Sequence, residues 1–126
     1  MVSRLKNSKN EGKQVYLSGP MRGYEEFNFP AFISAAKELR AKGYKVYDPA
    51  EQELEHGFDP KTGLYADDRQ VTIRELILED LVWICQFADK VVVLPGWENS
   101  KGAQAEVACA RAVGVEVIEF GQVGNG

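Results

Sequence analysis

The sequence lacks several features that mark particular classes of protein. No apolar run approaches the roughly 18 residues of a membrane span, and charges are scattered through the N-terminal residues where a signal peptide would be apolar. A net charge of -4 and a pI near 5.1 argue against a broad basic surface that binds nucleic acid polymers. We therefore expect a soluble, cytoplasmic protein without a membrane or nucleic-acid partner.

Residues that commonly hold metals or cofactors are also scarce. The chain has two cysteines, Cys85 and Cys109, and one histidine, His56, and their spacing matches no zinc site. Both cysteines fall in helical patterns, so we interpret them as reduced core thiols, and we expect no metal. The GxGxxG fingerprint is missing as well, so the glycine-rich loops do not predict a dinucleotide cofactor.

The pattern that is present alternates between strands and helices. Residues 1–13 are polar, basic and aperiodic and predict a flexible leader, whereas residues 14–126 suit a single globular domain. The predicted strands cover residues 14–18, 45–47, 90–94 and 115–120, and the predicted helices cover 29–42, 71–87 and 100–113. This order predicts an α/β, Rossmann-like (flavodoxin-like) three-layer domain with a small parallel sheet.

Residues 48–70 do not fit that alternation. The segment is long, polar and rich in turn residues, as a functional lid, an interface element or a disordered segment would be. These interpretations remain open at the level of sequence.

Two predicted loops leave the carboxyl ends of strands, where open parallel sheets bind ligands. In the first, SGPMRG (Ser18–Gly23), glycines allow close approach of the backbone, and Arg22 offers a fork of donors to phosphate or carboxylate. In the second, PGWENSK (Pro95–Lys101), Ser100 is placed to cap a helix whose N-terminus can face an anion. Each alone could be an ordinary turn or cap, but together they favour an anion site.

Helical geometry places two acids on apolar faces. At about 100° per residue, Glu106 lies opposite Gln104 and Arg111. It falls among Gly102, Ala103, Cys109, Ala110 and Val113. Asp80 falls in a stripe formed by Ile73, Leu76, Ile77, Trp83, Ile84 and Phe87. They could be paired core acids, or two carboxylates that converge on a pocket and attack an anomeric carbon, one as nucleophile and the other in proton transfer.

These residues resemble the nucleoside 2-deoxyribosyltransferase superfamily, including its 2'-deoxynucleoside 5'-monophosphate N-glycosidase branch. The similarity is greatest to a small family, common in phage genomes, with YLSGPM and PGWENSKGA signatures. It is carried by YLSGPMRG (16–23), DLVW (80–83), ADKVVV (88–93) and residues 100–114. The PGGxGTxxE motif of cytokinin-activating phosphoribohydrolases is a more distant likeness.

The resemblance implies a role for each matching position. Glu106 would be the nucleophile at C1', Asp80 would assist proton transfer to the base, and Tyr16 would orient the glutamate. The predicted substrate-binding residues, taken from both loops and the last helix, are Ser18, Gly19, Pro20, Met21, Arg22, Gly23, Gly96, Trp97, Asn99, Ser100 and Gly102. The relatives need no cofactor or metal and form homodimers or larger homo-oligomers. The expected setting is the cytosol of a bacterium or a phage-infected host.

We therefore expect cleavage or transfer at the N-glycosidic bond of a nucleotide or deoxynucleoside, through a covalent glycosyl-Glu106 intermediate. The alternative is a non-catalytic protein that binds a nucleotide-derived ligand in the same pocket. Trp97, Glu98 and Asn99 have no counterpart in the characterised enzymes, which keeps that alternative open, and a structural or interaction role is a third possibility. The sequence also leaves open which base and sugar are preferred, and whether the acceptor is water or a second base.

Overall fold

The computed structural model describes residues 12–68 and 70–126. The predicted leader, residues 1–13, lies outside the described residues except for Gly12 and Lys13. The carbonyl of Lys13 accepts a hydrogen bond from the backbone N–H of Lys45 at 2.9 Å, so the sheet hydrogen bonding begins just before the first strand.

Four parallel strands, three long helices and one short helix form the main part of the domain. The strands of the main sheet are β1 (Gln14–Ser18), β2 (Lys45–Tyr47), β5 (Lys90–Val93) and β6 (Glu116–Glu119). The helices are α1 (Phe29–Ala41), α2 (Pro49–Glu55), α3 (Ile73–Phe87) and α4 (Lys101–Ala112). The strand order is β2-β1-β5-β6 and every pair is parallel. The predicted Rossmann-like α/β fold is thus confirmed, and the predicted strand and long-helix bounds agree with the observed ones within two residues.

The two faces of β1 divide the core. Because side chains alternate along a strand, Val15 and Leu17 point to the layer of α1, while Tyr16 and Ser18 point to the layer of α3 and α4. All four side chains are completely buried. Strand β1 therefore contributes to one apolar cluster on one side and presents two hydroxyl groups to the helices on the other.

The helices on that second side start at side-chain caps. Thr72 accepts a hydrogen bond from the N–H of Glu75, and Ser100 accepts one from the N–H of Ala103 at 3.2 Å. Gly114, which follows α4, has a φ of +81°, as expected for a glycine that ends a helix. The predicted cap at Ser100 is therefore confirmed, and it marks the start of the helix that carries Glu106.

The segment 48–70 is more regular than its composition suggests. Asp48 is buried and caps α2 by accepting the N–H of Ala50 at 2.9 Å, and Pro49 occupies the first helical turn. Two short antiparallel strands follow, β3 (Phe58–Asp59) and β4 (Leu64–Tyr65). The ring of Phe58 packs edge-on against Phe27 at 5.2 Å. The interpretation of the segment as disordered is therefore wrong for residues 49–65, most of which lie in a helix or a short strand.

The apolar stripe predicted on α3 is only partly buried. Ile84 is fully buried, whereas Ile73 is 51% exposed beside the cavity described below. Cys85 is also exposed, so its assignment as a core thiol is wrong.

Within the described residues, none of the helices combines the length and apolar character needed to cross a membrane.

Candidate functional site

A cavity of about 580 Å³ opens at the carboxyl ends of β1 and β5. These two strands are neighbours in the sheet, and the chain leaves them toward opposite edges, to β2 and to β6. Such a switch point is where open α/β sheets bind ligands. The volume of the cavity lies in the range of small-molecule sites, roughly 300–1,000 Å³.

Nine of the predicted site residues line this cavity. They are Gly19, Pro20, Met21, Arg22, Asp80, Asn99, Ser100, Gly102 and Glu106. Both predicted loops therefore contribute to one site. The remaining wall is largely apolar and includes Phe32 from α1 and Ile73, Leu76 and Ile77 from α3.

Glu106 is held by two hydroxyl groups of β1. The hydroxyl of Tyr16 donates to Oε2 at 2.9 Å, and that of Ser18 donates to Oε1 at 2.6 Å. The glutamate is only 7% exposed, so its carboxyl faces the sheet as the helical projection predicts. Tyr16 and Ser18 can both reach it because residues two apart on a strand share a face. Hydrogen bonds to each oxygen offset the cost of burying the carboxylate and fix its orientation.

Asp80 lies beside Glu106 and shares its environment. Burial first, and then the nearby negative charge of Glu106, raise the pKa of Asp80 to about 8. Burial also raises the pKa of Glu106, but the hydrogen bonds from Ser18, Tyr16 and Asp80 oppose that effect. The pair therefore holds one proton near neutral pH, and we place it on Asp80 because Glu106 has the better donors.

The ring of Tyr16 packs against two other aromatic rings. Its ring lies 5.4 Å from that of Tyr47 with an interplanar angle of 20°, and Trp83 packs against both rings. Burial, and then the charge of Glu106, raise the pKa of Tyr16 well above its ordinary value. The phenol thus stays protonated and remains a donor to Glu106.

The first loop approaches the sheet through a glycine that no other residue can replace easily. A Cβ on Gly19 would lie 2.9 Å from the Cβ of Leu94 and 3.3 Å from Cζ of Phe32. The side-chain amide of Asn28 donates to the carbonyl of Pro20 at 2.9 Å and so fixes the next residue of the loop. Arg22 is exposed and lines the mouth of the cavity, where its guanidinium is available to an anion.

The second loop places the N-terminus of α4 at the same cavity. Ser100, Lys101 and Gly102 all line it. The first N–H groups of a helix have no partner within the helix, and the helix dipole favours negative charge there. Two cationic residues, Arg22 and Lys101, and one helix N-terminus therefore lie on the wall of the cavity that holds the carboxyl pair.

Five predicted residues lie away from the cavity wall. Tyr16 and Ser18 are buried beneath Glu106, and Gly23 is exposed with a φ of +84°. Gly96 lies under Tyr24, whose hydroxyl would be 2.5 Å from an added Cβ. Trp97 lines a separate cleft together with Arg111 and residues of β6.

Several cavity residues were missed at the level of sequence. Ile73, Leu76 and Ile77 precede Asp80 by seven, four and three residues, which is the spacing of one helix face. Their apolar character predicted core packing, although they surround the aspartate at an open cavity. Tyr24 and Phe32 line it too, and no local motif in the sequence indicates that position.

The fold and the site define an α/β protein with a buried carboxyl pair at the switch point of a parallel sheet. Residues 13–119 match the family described as Domain of unknown function (DUF4406), and the chain belongs to that family. Neither the curated proteins nor the solved structures include one that matches the chain.

Proposed function

We propose that this protein cleaves or transfers at the N-glycosidic bond of a nucleotide or deoxynucleoside, with Glu106 as the nucleophile. The proposal accords with the resemblance to nucleoside 2-deoxyribosyltransferases. The observation that carries it is the carboxyl pair, in which Glu106 is oriented by Tyr16 and Ser18 while the neighbouring Asp80 retains a proton. Such a pair provides a nucleophile and an acid at one place.

In the first step, an oxygen of Glu106 forms a bond to C1' of the sugar as the bond from C1' to the base nitrogen breaks. The electron pair of that bond stays with the base, and Asp80 transfers its proton to it. Glu106 is left as a glycosyl ester. The carboxyl groups of Asp80 and Glu106 interact directly, so both can act at the same glycosidic bond.

In the second step, the acceptor attacks C1' and the ester bond to Glu106 breaks. Asp80, now ionised, takes a proton from the acceptor and returns to its starting state. A water acceptor makes the reaction a hydrolysis, and a second base makes it a transfer. Two displacements retain the configuration at C1'.

The wall of the cavity suits a 5'-phosphate better than an uncharged group. Arg22 and the N-terminus of α4 both favour negative charge, and Ser100 and Gly102 line the same wall. The apolar side chains of Leu76 and Ile77 provide a surface for a planar base. We therefore propose a nucleoside 5'-monophosphate as the preferred substrate, and a cytosolic site of action.

Assembly into a homodimer or larger homo-oligomer is part of the proposal. Leu78 and Val82 lie one turn apart on α3 and are 63% and 43% exposed. Exposed apolar side chains that adjoin one another are typical of contact surfaces. Light scattering coupled to size exclusion should give at least twice the chain mass, and a strictly monomeric protein would contradict this part of the proposal.

The proposal is tested by incubating the protein with deoxynucleotides, ribonucleotides and the matching nucleosides, followed by chromatography of free base. The wild type and a Glu98→Gln control, whose glutamate is exposed, should release base, and Glu106→Gln should release none. Full release by Glu106→Gln would contradict the nucleophile. Tight binding of a nucleotide in calorimetry without any release would instead favour a non-catalytic binding protein.

A further inference from the structure

Two free thiols contact each other across the two helices that carry the carboxyl pair. Sγ of Cys85 on α3 lies 3.6 Å from Sγ of Cys109 on α4, although 24 positions separate them in the chain. Cys85 follows Asp80 by five residues, and Cys109 follows Glu106 by three. The pair thus lies about one turn from each acid, on the same two helices.

The two sulfur atoms are close enough for a disulfide after a small adjustment. A disulfide bond is about 2.05 Å long, so the sulfur atoms at 3.6 Å must approach each other by roughly 1.5 Å. Helices α3 and α4 pack directly against each other, so rotation of the two short side chains can supply much of this movement. Sequence patterns gave no hint of the contact, because each cysteine appeared only as one member of a separate helix.

The environments of the two thiols differ. Cys85 is exposed and can meet a soluble oxidant, whereas Cys109 is half-buried. Burial, and then the contact with Cys85, raise the pKa of Cys109 to about 11. The exposed thiol is therefore the one that reacts first, and the half-buried thiol is the one that resolves the product.

We propose that Cys85 and Cys109 form a peroxide-sensitive dithiol, which on oxidation becomes an intramolecular disulfide that links α3 to α4. This inference does not rest on the proposed function, because it concerns the thiols alone.

The oxidation proceeds in two balanced steps. The thiolate of Cys85 attacks one oxygen of hydrogen peroxide, an S–O bond forms, the O–O bond breaks, and the departing hydroxide takes up the proton that Cys85 lost. The sulfur of Cys109 then attacks that of Cys85, the S–S bond forms, and the S–O bond breaks. Water leaves with the proton of Cys109. In sum, two thiols lose two electrons, and one peroxide molecule becomes two water molecules.

The cross-link has a structural consequence for the site. Asp80 and Glu106 come from different helices, and no backbone hydrogen bond fixes the distance between one helix and the next. A covalent bond one turn away restrains the relative positions of α3 and α4. We expect oxidation to raise Tm by several degrees, because the link closes a loop of 24 positions in the unfolded chain.

The test treats the full chain with a small molar excess of hydrogen peroxide and measures its intact mass without reductant. The expected result is the loss of two hydrogen masses, protection of both cysteines from an alkylating reagent, and full reversal by dithiothreitol. Peptide mapping should then find residues 75–90 and 102–111 joined after tryptic cleavage at Arg74, Lys90, Lys101 and Arg111.

Two matched variants complete the design. Cys109→Ser should instead accumulate a sulfenic or further oxidised Cys85, whereas Cys85→Ser should react at least tenfold more slowly. An intermolecular disulfide in the wild type, or addition of oxygen without loss of hydrogen, would overturn the proposal. Equal reactivity of the two single variants would overturn the assigned order of reaction.

Discussion

The hydroxyl of Ser18 donates to Oε1 of Glu106 at 2.6 Å, joining the end of the first strand to a helix 88 positions later. The hydroxyl of Tyr16 donates to the other oxygen of the same carboxyl. Both carboxyl oxygens of Glu106 therefore accept hydrogen bonds from side chains of the sheet. Hydrogen bonds to a charged acceptor are about twice as strong as neutral ones, so the two donors set both the direction and the ionisation of Glu106.

Removal of the Ser18 hydroxyl should weaken the proposed reaction. We expect Ser18→Ala to lower base release roughly 10- to 100-fold, since a hydrogen bond to a charged group contributes about 1.5–3 kcal/mol. The pKa of Glu106 should rise, because this hydrogen bond favours the ionised form. The acidic limb of the rate profile should then move to higher pH. Ser34→Ala, at an exposed position of α1, should change neither quantity.

The proton on Asp80 should control the basic limb of the rate profile. With the pKa of Asp80 raised to about 8, base release should fall about tenfold for each pH unit above that value. Asp80→Asn cannot supply a proton, so we expect a loss of roughly 10²- to 10⁴-fold and no basic limb. An unchanged basic limb in this variant would assign that titration to another group.

The same carboxyl should make stability depend on pH. Its folded-state pKa of about 8 exceeds its ordinary value of 3.8, so the folded protein holds a proton that the unfolded chain releases. The stabilising contribution is complete below pH 3.8 and is lost as the pH rises through 8. As the pH rises through that range, the free energy of unfolding of Asp80→Asn should therefore increase relative to that of the wild type. The relative increase, measured by urea unfolding, should be on the order of a few kcal/mol. Glu98→Gln should show no such trend.

Arg22 should discriminate substrates by their phosphate. We expect Arg22→Ala to raise KM for a nucleoside 5'-monophosphate by about 10-fold or more, because a charge-assisted contact is lost, and to leave KM for the matching nucleoside within about twofold. Arg74→Ala removes an exposed arginine of α3 that does not line the cavity and serves as the control. Equal effects on both substrates would show that Arg22 does not contact the phosphate.

Asp48 should contribute to the fold through its cap and not through its charge. It accepts the N–H of Ala50, and burial raises its pKa to about 6. Its Oδ2 has no hydrogen-bond partner within the part of the chain that the structure describes. Asp48→Ala should cost about 1 kcal/mol of unfolding free energy, while Asp48→Asn, which keeps the acceptor, should match or exceed the wild type at pH 7. A larger loss in Asp48→Asn than in Asp48→Ala would contradict this role.

The inward direction of Glu106 follows from helical period alone, and burial in the structure agrees with it. The parallel sheet was equally predictable, because strands of β-branched residues alternate with capped helices. The partnership of Ser18 with Glu106 was not foreseen. Strand period puts Ser18 on the same face as Tyr16, but only the packing of α4 on that face shows which residue they meet.

The segment after β2 shows where local signals were present and overlooked. Asp48 followed by Pro49 and two glutamates is a helix start, yet the surrounding turn residues concealed it. The strands β3 and β4 have two residues each, too few for a period to be visible. The cleft that Trp97 lines could not be predicted either, because its other residues include Arg111 and strand β6, which lie further along the chain.

The most direct test of a glycosyl-Glu106 intermediate is peptide mass spectrometry after reaction with a 2'-fluoroarabinosyl nucleotide. The fluorine slows both displacements by destabilising the oxocarbenium-like transition state, so an ester can accumulate. Trypsin releases residues 102–111, GAQAEVACAR, in which Glu106 is the single acidic side chain. We predict that this peptide gains the mass of the fluorinated sugar phosphate in the wild type and not in Glu106→Gln. Release of base by the wild type with no adduct on this peptide, together with turnover by Glu106→Gln, would contradict the proposed mechanism.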